Sequence, residues 1–423
     1  MIIDFTIQNF RSIKKEQTFS FYAQKSLNHH TDNIAYPDGG KIGVLRTSGI
    51  YGANASGKSN MLLAFEALRF MICRSGELKE GDIIEPHEPF RLSKETINAP
   101  TVFEIEFFTI ENVRFIYKIE YNSTEIIFES LDFYPSIKKA NIFTRYGGLS
   151  WKDVKFGSSF KGGKKQFAFF SNNSYLSKAG NSADAPDIIR TVYNFFRKNL
   201  LHLEPDENFH DNEWKNDAVL INKMAKILTK VDTGITGIEL KENSQVKGLD
   251  FPSGIPESLK KRIISDLKLQ PWFNHKTEDG DVELFSENME SSGTRKLFNM
   301  LPLLMKTFEK GSVLILDEID QSYHSHLAEL IIKLFNNPLI NRNNAQLIFS
   351  THNLNLMSPQ IFRRDQIWFA EKLKGATTFY SLDQYDKDIV KSNSPFGKWY
   401  EEGRFGAIPN IDIKTIANIL KGV

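Results

Sequence analysis

Residues 52–59 read Gly-Ala-Asn-Ala-Ser-Gly-Lys-Ser, which fits the pattern G-x-x-x-x-G-K-[ST]. The preceding residues 43–51 (GVLRTSGIY) favour a strand. The following residues 59–72 (SNMLLAFEALRFMI) favour a helix, because their apolar side chains recur at helical spacing. A strand, a glycine-rich turn and a helix in this order are typical of a phosphate-binding loop. The alternative is a turn that matches by chance, and the flanking strand and helix argue against it.

The residue types of this loop suit a nucleotide phosphate. Glycines allow backbone N–H groups to curl around the anion, and the N-terminus of the helix faces it. Lys58 is expected to reach the outer phosphate oxygens, and the hydroxyl of Ser59 to ligate Mg²⁺. The predicted nucleotide-binding residues of the loop are Gly52, Ala53, Asn54, Ala55, Ser56, Gly57, Lys58, Ser59 and Asn60.

A second motif is the apolar run 313–316 (VLIL), which ends in Asp317 and Glu318. Continuous Val, Ile and Leu indicate a buried parallel strand, and ligands bind at the carboxyl ends of such strands. We expect Asp317 to hold the hydration shell of Mg²⁺ and Glu318 to act as general base towards the attacking water. Taken alone, such a run is more often a solvated strand end, so its meaning depends on the loop at 52–59.

Two further polar groups follow predicted elements. His352 lies at the tip of the apolar strand predicted within residues 345–353, which follows the acidic strand by one crossover helix, and we expect it beside the γ-phosphate. A lone histidine is more often structural. Ser292 and Gly293 lie in the sequence Ser-Ser-Gly-Thr (291–294) ahead of a helix, where a hydroxyl and a glycine can form a second anion site. A simple helix cap is the alternative there.

The rest of the chain indicates an α/β protein. Strands alternate with helices in the last third, which predicts a parallel sheet with right-handed crossovers. Three short β runs at 101–135 predict an antiparallel meander, and the pattern from 186 to about 230 is helical. We therefore divide the chain into a first part with the loop and the meander (1–185), a helical insertion (186–284) and a part with the remaining motifs (285–423).

Composition excludes several classes. The 423 residues hold 53 Lys plus Arg and 52 Asp plus Glu, a formal charge of +1 that argues neither for nor against a nucleic-acid partner. A single cysteine, Cys73, excludes a disulfide framework and a cysteine-rich zinc site. The N-terminus lacks the pattern of a signal peptide, and no apolar run reaches the ~18 residues of a membrane span. We expect a cytoplasmic protein with no membrane partner.

The four motifs in this order resemble ATP-binding-cassette ATPases, in particular the RecF and SMC heads. Their Walker A loop, signature, Walker B strand and His switch would be 52–59, 290–294, 313–318 and His352. The resemblance implies a P-loop NTPase head with an antiparallel β subdomain and an inserted helical region. It implies ATP and Mg²⁺ as cofactors, and a head-to-tail dimer in which Ser292 and Gly293 contact the nucleotide of the other subunit.

The start of the chain also resembles these heads. The segment IQNFRSI (7–13) matches their opening, and the resemblance places Arg11 near the nucleotide; an ordinary surface arginine is the alternative. One departure is His324, which stands where cassette ATPases usually carry an aspartate of the D-loop. A transporter cassette is disfavoured, because no Q-loop region stands out.

Other segments resemble stand-alone bacterial AAA-type ATPases of the RloA/AbiLi kind, relatives of the OLD family and of the ATPase subunits of the Septu and PARIS anti-phage systems. The segments are PFRL (89–92), DEIDQSYHSHL (317–327), RDQIWFAEK (364–372) and EEGRFGAIPNI (401–411). The resemblance implies an ATPase subunit of an anti-phage system. Because only about 70 residues follow His352, we expect a separately encoded effector such as a nuclease. DNA or a phage protein is a further candidate partner.

The alternative function is a DNA-repair or recombination ATPase of the RecF/SMC type that clamps DNA directly. A lysine-rich stretch with interleaved aromatic residues could contact phosphates and bases. A solvated charged loop is the plainer interpretation. The stretch contains Lys152, Lys155, Lys161, Lys164 and Lys165 with Phe156, Phe160 and Phe167.

Overall fold

A computed structural model describes residues 1–203, 213–231, 233–243, 246, 251–252, 254–322, 325–408 and 413–421. The chain forms two compact units. The first comprises Met1–Pro205, Thr307–Gln321 and Ser325–Val423, and the second Asp206–Lys306 with Ser322–His324. No helix in the described part of the chain is long and apolar enough to cross a membrane. His324 lies outside the described residues, and the division at 185 and 284 stays a prediction.

The secondary structure is mixed. The strands are β1 (Ile2–Gln8), β2 (Gln17–Ser20), β3 (Ile34–Ala35), β4 (Val44–Leu45), β5 (Thr47–Tyr51), β6 (Thr101–Phe108), β7 (Arg114–Tyr121), β8 (Ile126–Phe133), β9 (Ala140–Tyr146), β10 (Lys155–Phe156), β11 (Leu200–Leu203), β12 (Ile235–Glu242), β13 (Leu269–Lys276), β14 (Val282–Ser286), β15 (Val313–Leu316), β16 (Gln346–Ser350), β17 (Ile367–Leu373) and β18 (Ala376–Ser381). The helices are α1 (Lys58–Cys73), α2 (Lys94–Ile97), α3 (Tyr175–Gly180), α4 (Asp187–Asn194), α5 (Ala218–Leu228), α6 (Glu257–Lys268), α7 (Ser292–Lys310), α8 (Ile319–Ser322), α9 (Ser325–Asn336), α10 (Phe396–Glu401) and α11 (Ile413–Lys421).

The sheet that carries the motifs has six strands in the order β11-β15-β16-β5-β17-β18. Its first five strands are parallel, and β18 pairs antiparallel with β17. The strands β15, β16 and β5 are buried along their whole length, as their apolar sequences predict. The predicted parallel sheet is confirmed, and it places the end of each motif strand at one edge.

A second sheet of the same unit is antiparallel, in the order β10-β9-β8-β7-β6-β1-β2. The predicted meander is confirmed as β6, β7 and β8. Helix α1 packs on this sheet through Phe65, whose ring centroid lies 4.3 Å from that of Phe5. One hydrophobic cluster contains Phe65, Phe5 and residues of β15 and β16 such as Ile315 and Ile348. The helix after the phosphate loop is therefore anchored in the main core.

The region 186–284 contains strands as well as the predicted helices. β11 continues the main sheet, although the sequence around it favours a helix. A short apolar run has no clear periodicity, so it does not distinguish a strand from a helix. In the second unit, β12, β13 and β14 form an antiparallel sheet. Its Phe273 packs edge-to-face on Phe298 of α7. Glycine and proline inside β12 and β13 weaken their strand pattern in the sequence.

Two buried arginines fasten long loops to the start of β17. Arg363 is fully buried and pairs with Asp365, with Nη2 2.7 Å from Oδ2. It also donates to the backbone carbonyls of Gln24, Leu27 and His29. Arg364 donates to the backbone carbonyls of Val390, Leu382 and Tyr385. The segment RDQIWFAEK thus has a structural role, since buried arginines that satisfy several carbonyls hold loops in place.

Candidate nucleotide site

The three parallel strands β15, β16 and β5 are hydrogen-bonded neighbours, and their carboxyl ends deliver polar groups to one place. The loop 52–57 follows β5, Asp317 and Glu318 follow β15, and His352 follows β16 by one residue. The carboxylates of Asp317 and Glu318 act electrostatically on the ammonium of Lys58. The structure thus brings together the four motif residues that the sequence analysis selected from β5, β15 and β16.

The loop is so tightly packed that two of its positions require glycine. Gly57 has φ of 106°, and a Cβ there would lie 2.3 Å from the hydroxyl oxygen of Thr377. A Cβ on Gly52 would lie 2.5 Å from the carbonyl oxygen of Ala370. Such distances are far inside van der Waals contact. The loop backbone is therefore held against β17 and β18 in a fixed curve before any ligand binds.

Lys58 begins helix α1, and its side chain folds over the loop. It is only 5% exposed, and its Nζ donates to the carbonyl oxygens of Gly52 (3.0 Å) and Ala53 (3.1 Å). An ammonium has three donors, so a third can serve an anion. Burial lowers the pKa of Lys58 to about 8, against the opposing charges of Glu318, Asp317 and Asp320. The residue therefore titrates close to physiological pH.

Ser350, the last residue of β16, fixes both acidic residues. Its hydroxyl donates to Oδ1 of Asp317 and accepts from the backbone N–H of Glu318 at 2.9 Å. Glu318 has φ of 49°, which is uncommon for a residue with a side chain and marks a constrained turn. The hydroxyl of Ser350 therefore holds the carboxylate of Asp317 and the backbone of Glu318 at the carboxyl end of β15.

Asp320 positions the histidine in a similar way. Its carboxylate accepts from the hydroxyl of Thr351 at 2.6 Å and from the backbone N–H of His352 at 3.1 Å. The imidazole Nε2 of His352 lies 3.9 Å from Oε1 of Glu318. Burial and the nearby Lys58 lower the pKa of His352 below its usual value. His352 is therefore neutral at pH 7, so one ring nitrogen donates a hydrogen bond while the other accepts one.

The remaining loop residues have different surroundings. The side-chain amide of Asn60 donates to the hydroxyl of Ser12 at 2.7 Å, and the hydroxyl of Thr377 donates to Ser12 at the same distance. Asn60 therefore ties α1 to the turn after β1. Ser59 is half-buried in the first turn of α1. The hydroxyl of Ser56 and that of Tyr51 are buried without a hydrogen-bond partner in the described part of the chain.

The donor set fits Mg²⁺ that arrives with a nucleotide. Mg²⁺ keeps several waters and takes one or two protein oxygens beside those of phosphates. Ser59 and Asp317 offer a hydroxyl and a carboxylate of this kind. Among the described residues, no group of three or more His, Cys, Asp or Glu side chains could hold a metal ion alone. The chemistry of the site thus suits a shared ion rather than a protein-only metal site.

Arg11 has other partners than the loop. Its guanidinium pairs with Glu88, Nη2 to Oε1 2.9 Å, and it lines a cavity of about 630 Å³ together with residues of α1 such as Glu66 and Arg69. A different cavity, of about 1000 Å³, lies beside the phosphate loop and His352. Arg11 is therefore not brought to the same cavity as the motif residues, whereas the adjacent Ser12 contacts the loop helix.

Ser292 and Gly293 belong to the second compact unit. The hydroxyl of the preceding Ser291 accepts from the backbone N–H of Thr294 at 3.1 Å and caps helix α7. The helix cap that the sequence offered as an alternative is thus formed, by Ser291. Ser292 itself is exposed at the first turn of α7. The second anion site at Ser292 and Gly293 stays a prediction.

Sequence reasoning missed four residues that shape the site: Ser12, Asp320, Ser350 and Thr377. Ser350 and Asp320 lie within two residues of motif residues, so their closeness to the site could be predicted from the sequence. Their hydrogen-bond partners could not. Ser12 is adjacent to Arg11 in the segment that resembled the family opening. Thr377 carries no signal of its own in the sequence. Its role follows only from the contact of β18 with the phosphate loop.

The parallel sheet with a phosphate loop after β5 defines a P-loop NTPase fold. A family model described as "AAA domain, putative AbiEii toxin, Type IV TA system" matches residues 48–358, about three-quarters of the chain. The chain belongs to this family. The match confirms the predicted AAA-type ATPase class. No curated protein matches the chain.

Solved structures that resemble the chain share little sequence with it. The SMC head domain from Thermotoga maritima is 12% identical over 90% of this chain and 98% of that one, with a TM-score of 0.40. The SMC head bound to the C-winged helix domain of ScpA is 12% identical over 90% and 99%, with a TM-score of 0.44. The recombination mediator RecF with ATP is 14% identical over 90% and 97%, with a TM-score of 0.35.

The lowered pKa of Lys58 generates a prediction. Below about pH 8 the ammonium is charged and attracts phosphate, and above that pH it loses its proton. We expect the affinity for ATP to fall by up to about tenfold per pH unit above pH 8. The measurement is the dissociation constant of ATP over a pH range that extends from about 6.5 to about 9.5, on both sides of the pKa.

The matched control is Lys58→Arg, because a guanidinium stays charged through this range. Its ATP affinity, even if weaker, should not change above pH 8. A wild-type affinity that stays constant as the pH rises through 8 and 9 would contradict the assignment of Lys58 as the phosphate-binding cation.

Proposed function

We propose that the chain hydrolyses ATP at the carboxyl ends of β5, β15 and β16. The observation that supports this most directly is the convergence of Lys58, Asp317, Glu318 and His352 at one edge of the parallel sheet. An ammonium, two carboxylates and a neutral imidazole supply charge neutralisation, metal binding and proton transfer. These are the functions that phosphoryl transfer to water requires.

In the proposed reaction a water oxygen bonds to the γ-phosphorus while the bond to the β–γ bridging oxygen breaks, which releases ADP and phosphate. Glu318 accepts a proton from the water. His352 donates a hydrogen bond to a γ-phosphate oxygen, and its 3.9 Å distance from Glu318 allows it to orient the same water. Lys58 offsets the charge of the outer phosphates. Mg²⁺, bound by Ser59 and Asp317, would neutralise charge on the phosphate oxygens.

We further propose that two copies form a head-to-tail dimer in which Ser292 and Gly293 of one copy contact the nucleotide of the other. The support is the exposure of Ser292 at the first turn of α7, a helix of 19 residues. The N-terminus of such a helix attracts anions. Closure of the dimer on ATP and its opening after hydrolysis would couple nucleotide state to a partner.

For the biological role we propose the ATPase subunit of a bacterial anti-phage system, cytoplasmic, that senses a trigger and controls a separately encoded effector such as a nuclease. The family to which the chain belongs is named for an AbiEii-like toxin of a type IV toxin–antitoxin system, which supports a role in such systems. The segments similar to RloA/AbiLi, OLD, Septu and PARIS ATPases support the same role. The trigger could be DNA or a phage protein.

The structure gives the DNA-clamping alternative little support from the lysine-rich stretch. Phe160 and Phe167 are 1% and 7% exposed and belong to the hydrophobic core, so they are not platforms for bases. Lys165 and Lys164 lie over these rings. Lys164 and Lys165 therefore lie against a packed aromatic core, and Phe160 and Phe167 are not free to stack on the bases of single-stranded nucleic acid.

The proposed dimer can be tested by mixing two inactive variants, Lys58→Ala and Ser292→Ala. Each alone should show little ATP turnover, because every site would lack one essential group. Half of the randomly formed dimers in an equal mixture contain one complete site. Turnover should therefore recover to about a quarter of wild type. A mixture no more active than its components would contradict the shared site. If Lys58→Ala loses turnover but Ser292→Ala does not, the proposed dimer is wrong and the proposed ATP hydrolysis is still supported.

The proposed defence role predicts a result in cells. Bacteria that express the chain with its neighbouring genes should resist phage, and Glu318→Gln should abolish that protection. The control Glu309→Gln changes an exposed glutamate outside the site and should protect like wild type. Protection by the chain without any neighbouring gene would contradict a separate effector. Plating efficiency of phage is the measurement.

A further inference from the structure

The cavity of about 1000 Å³ beside the phosphate loop is walled on its far side by two elements outside the four nucleotide-site motifs. One is the hairpin of β17 and β18, through residues 370–375. The other is the segment 400–408, which begins in the last turn of α10. The cavity is within the size range of small-molecule sites. It begins at the loop and extends to the β17 side of β5, away from the acidic strand β15.

The segment 400–408 is bonded directly to the phosphate loop. The carbonyl of Ala407 accepts from the backbone N–H of Ala53 at 3.2 Å and from the hydroxyl of Tyr400 at 2.7 Å. Ala407 has φ of 53°, a conformation that side chains other than glycine and asparagine rarely adopt. This part of the chain thus reaches the second residue of the loop across more than 350 positions of sequence, and the contact sets where the cavity wall stands.

Two further tyrosines hold this wall in place. The hydroxyls of Tyr380 and Tyr385 both donate to the carbonyl of Phe405, at 2.7 and 3.0 Å. A Cβ on Gly406 would lie 2.9 Å from the hydroxyl of Tyr380, so the close approach depends on glycine. The hairpin and the segment therefore form one wall, because tyrosine hydroxyls hold the carbonyls of Phe405 and Ala407 in place.

The rim of the cavity carries large apolar side chains. Leu373 of β17 is 72% exposed and Ile408 is 45% exposed, and both line the cavity. Leu354 lines it from the β16 side and is half-buried. Apolar side chains beside a few fixed polar groups are typical of sites for flat aromatic ligands. Single exposed apolar residues are common on protein surfaces, but here two of them face one cavity next to a phosphate loop.

We propose that this cavity holds the nucleoside of the nucleotide, with the base against Leu373 and Ile408. The hairpin 370–375 and the segment 400–408 are then a nucleoside subsite, and the segment EEGRFGAIPNI gains a function for its described residues. The inference rests on the proposed function, since it requires that the triphosphate lies on the loop. With phosphates on the loop and the γ-phosphate towards β15, the nucleoside extends to the opposite side, where the cavity is.

The test compares two ligands that differ only in the nucleoside. ATP carries it, and inorganic tripolyphosphate lacks it; both are titrated with Mg²⁺ against the full chain. The variant Leu373→Ser/Ile408→Ser removes the apolar rim at two exposed positions, so folding is expected to survive, and thermal melting checks this. The matched control is Ile137→Ser, an 83% exposed isoleucine that lines neither cavity.

The subsite predicts that the double variant weakens ATP binding by about tenfold and leaves tripolyphosphate binding within about twofold of wild type. Ile137→Ser should change neither. Unchanged ATP binding, or an equal loss for both ligands, would overturn the subsite. Lys58→Ala distinguishes failure of the subsite from failure of the proposed function. It should weaken the binding of both ATP and tripolyphosphate. If this variant binds both as tightly as wild type, the proposed function is wrong, and this inference with it.

Photolabelling with 8-azido-ATP provides an independent result. Label on peptides that contain 370–375 or 400–408 would support the subsite. Label on the peptide around Glu88, which lines the other cavity with Arg11, would overturn it and place the base at the turn after β1.

Discussion

The parallel pairing of β15, β16 and β5 is the constraint on which the site depends. The three strands are buried, so their register is fixed by the core and by continuous backbone hydrogen bonds. Because they run in the same direction, the residues that follow them meet at one edge. Groups separated by up to about 300 positions in the sequence are brought together in this way. The helix after the loop is anchored in the same core, which keeps Lys58 in place.

Burial at that edge tunes the chemistry of the groups. It lowers the pKa of Lys58 to about 8 and that of His352 below its usual value, while Asp317, Glu318 and Asp320 oppose the shift. The site thus keeps an ammonium and a neutral imidazole within one cluster. Hydrogen bonds from Ser350 and to Asp320 orient the groups before a ligand binds, which reduces the reorganisation that a reaction would require.

Much of the site could be predicted because its motifs are local in sequence. The loop 52–59 and the acidic strand end each combine a short pattern with a recognisable strand. Their identity as nucleotide-binding motifs, and their position at one edge of the sheet, therefore followed from the sequence and from parallel-sheet geometry. The contacts of Thr377 with the loop and with Ser12 could not be predicted, since they join residues more than 300 positions apart. The same is true of Ala407, whose carbonyl has no signal in the sequence. β11 was mistaken for a helix because four apolar-rich residues carry no period.

The central claim is that Glu318 is the base of an ATP-hydrolysing site at this edge, and Glu318→Gln tests it most directly. The amide keeps the size and the hydrogen-bonding shape of the side chain but cannot accept the proton. The account predicts that the variant binds ATP, loses about 10²–10⁴-fold in turnover and accumulates as an ATP-bound dimer or larger assembly. ATP turnover measured beside oligomeric mass shows both effects. Turnover equal to that of the wild type would contradict the account.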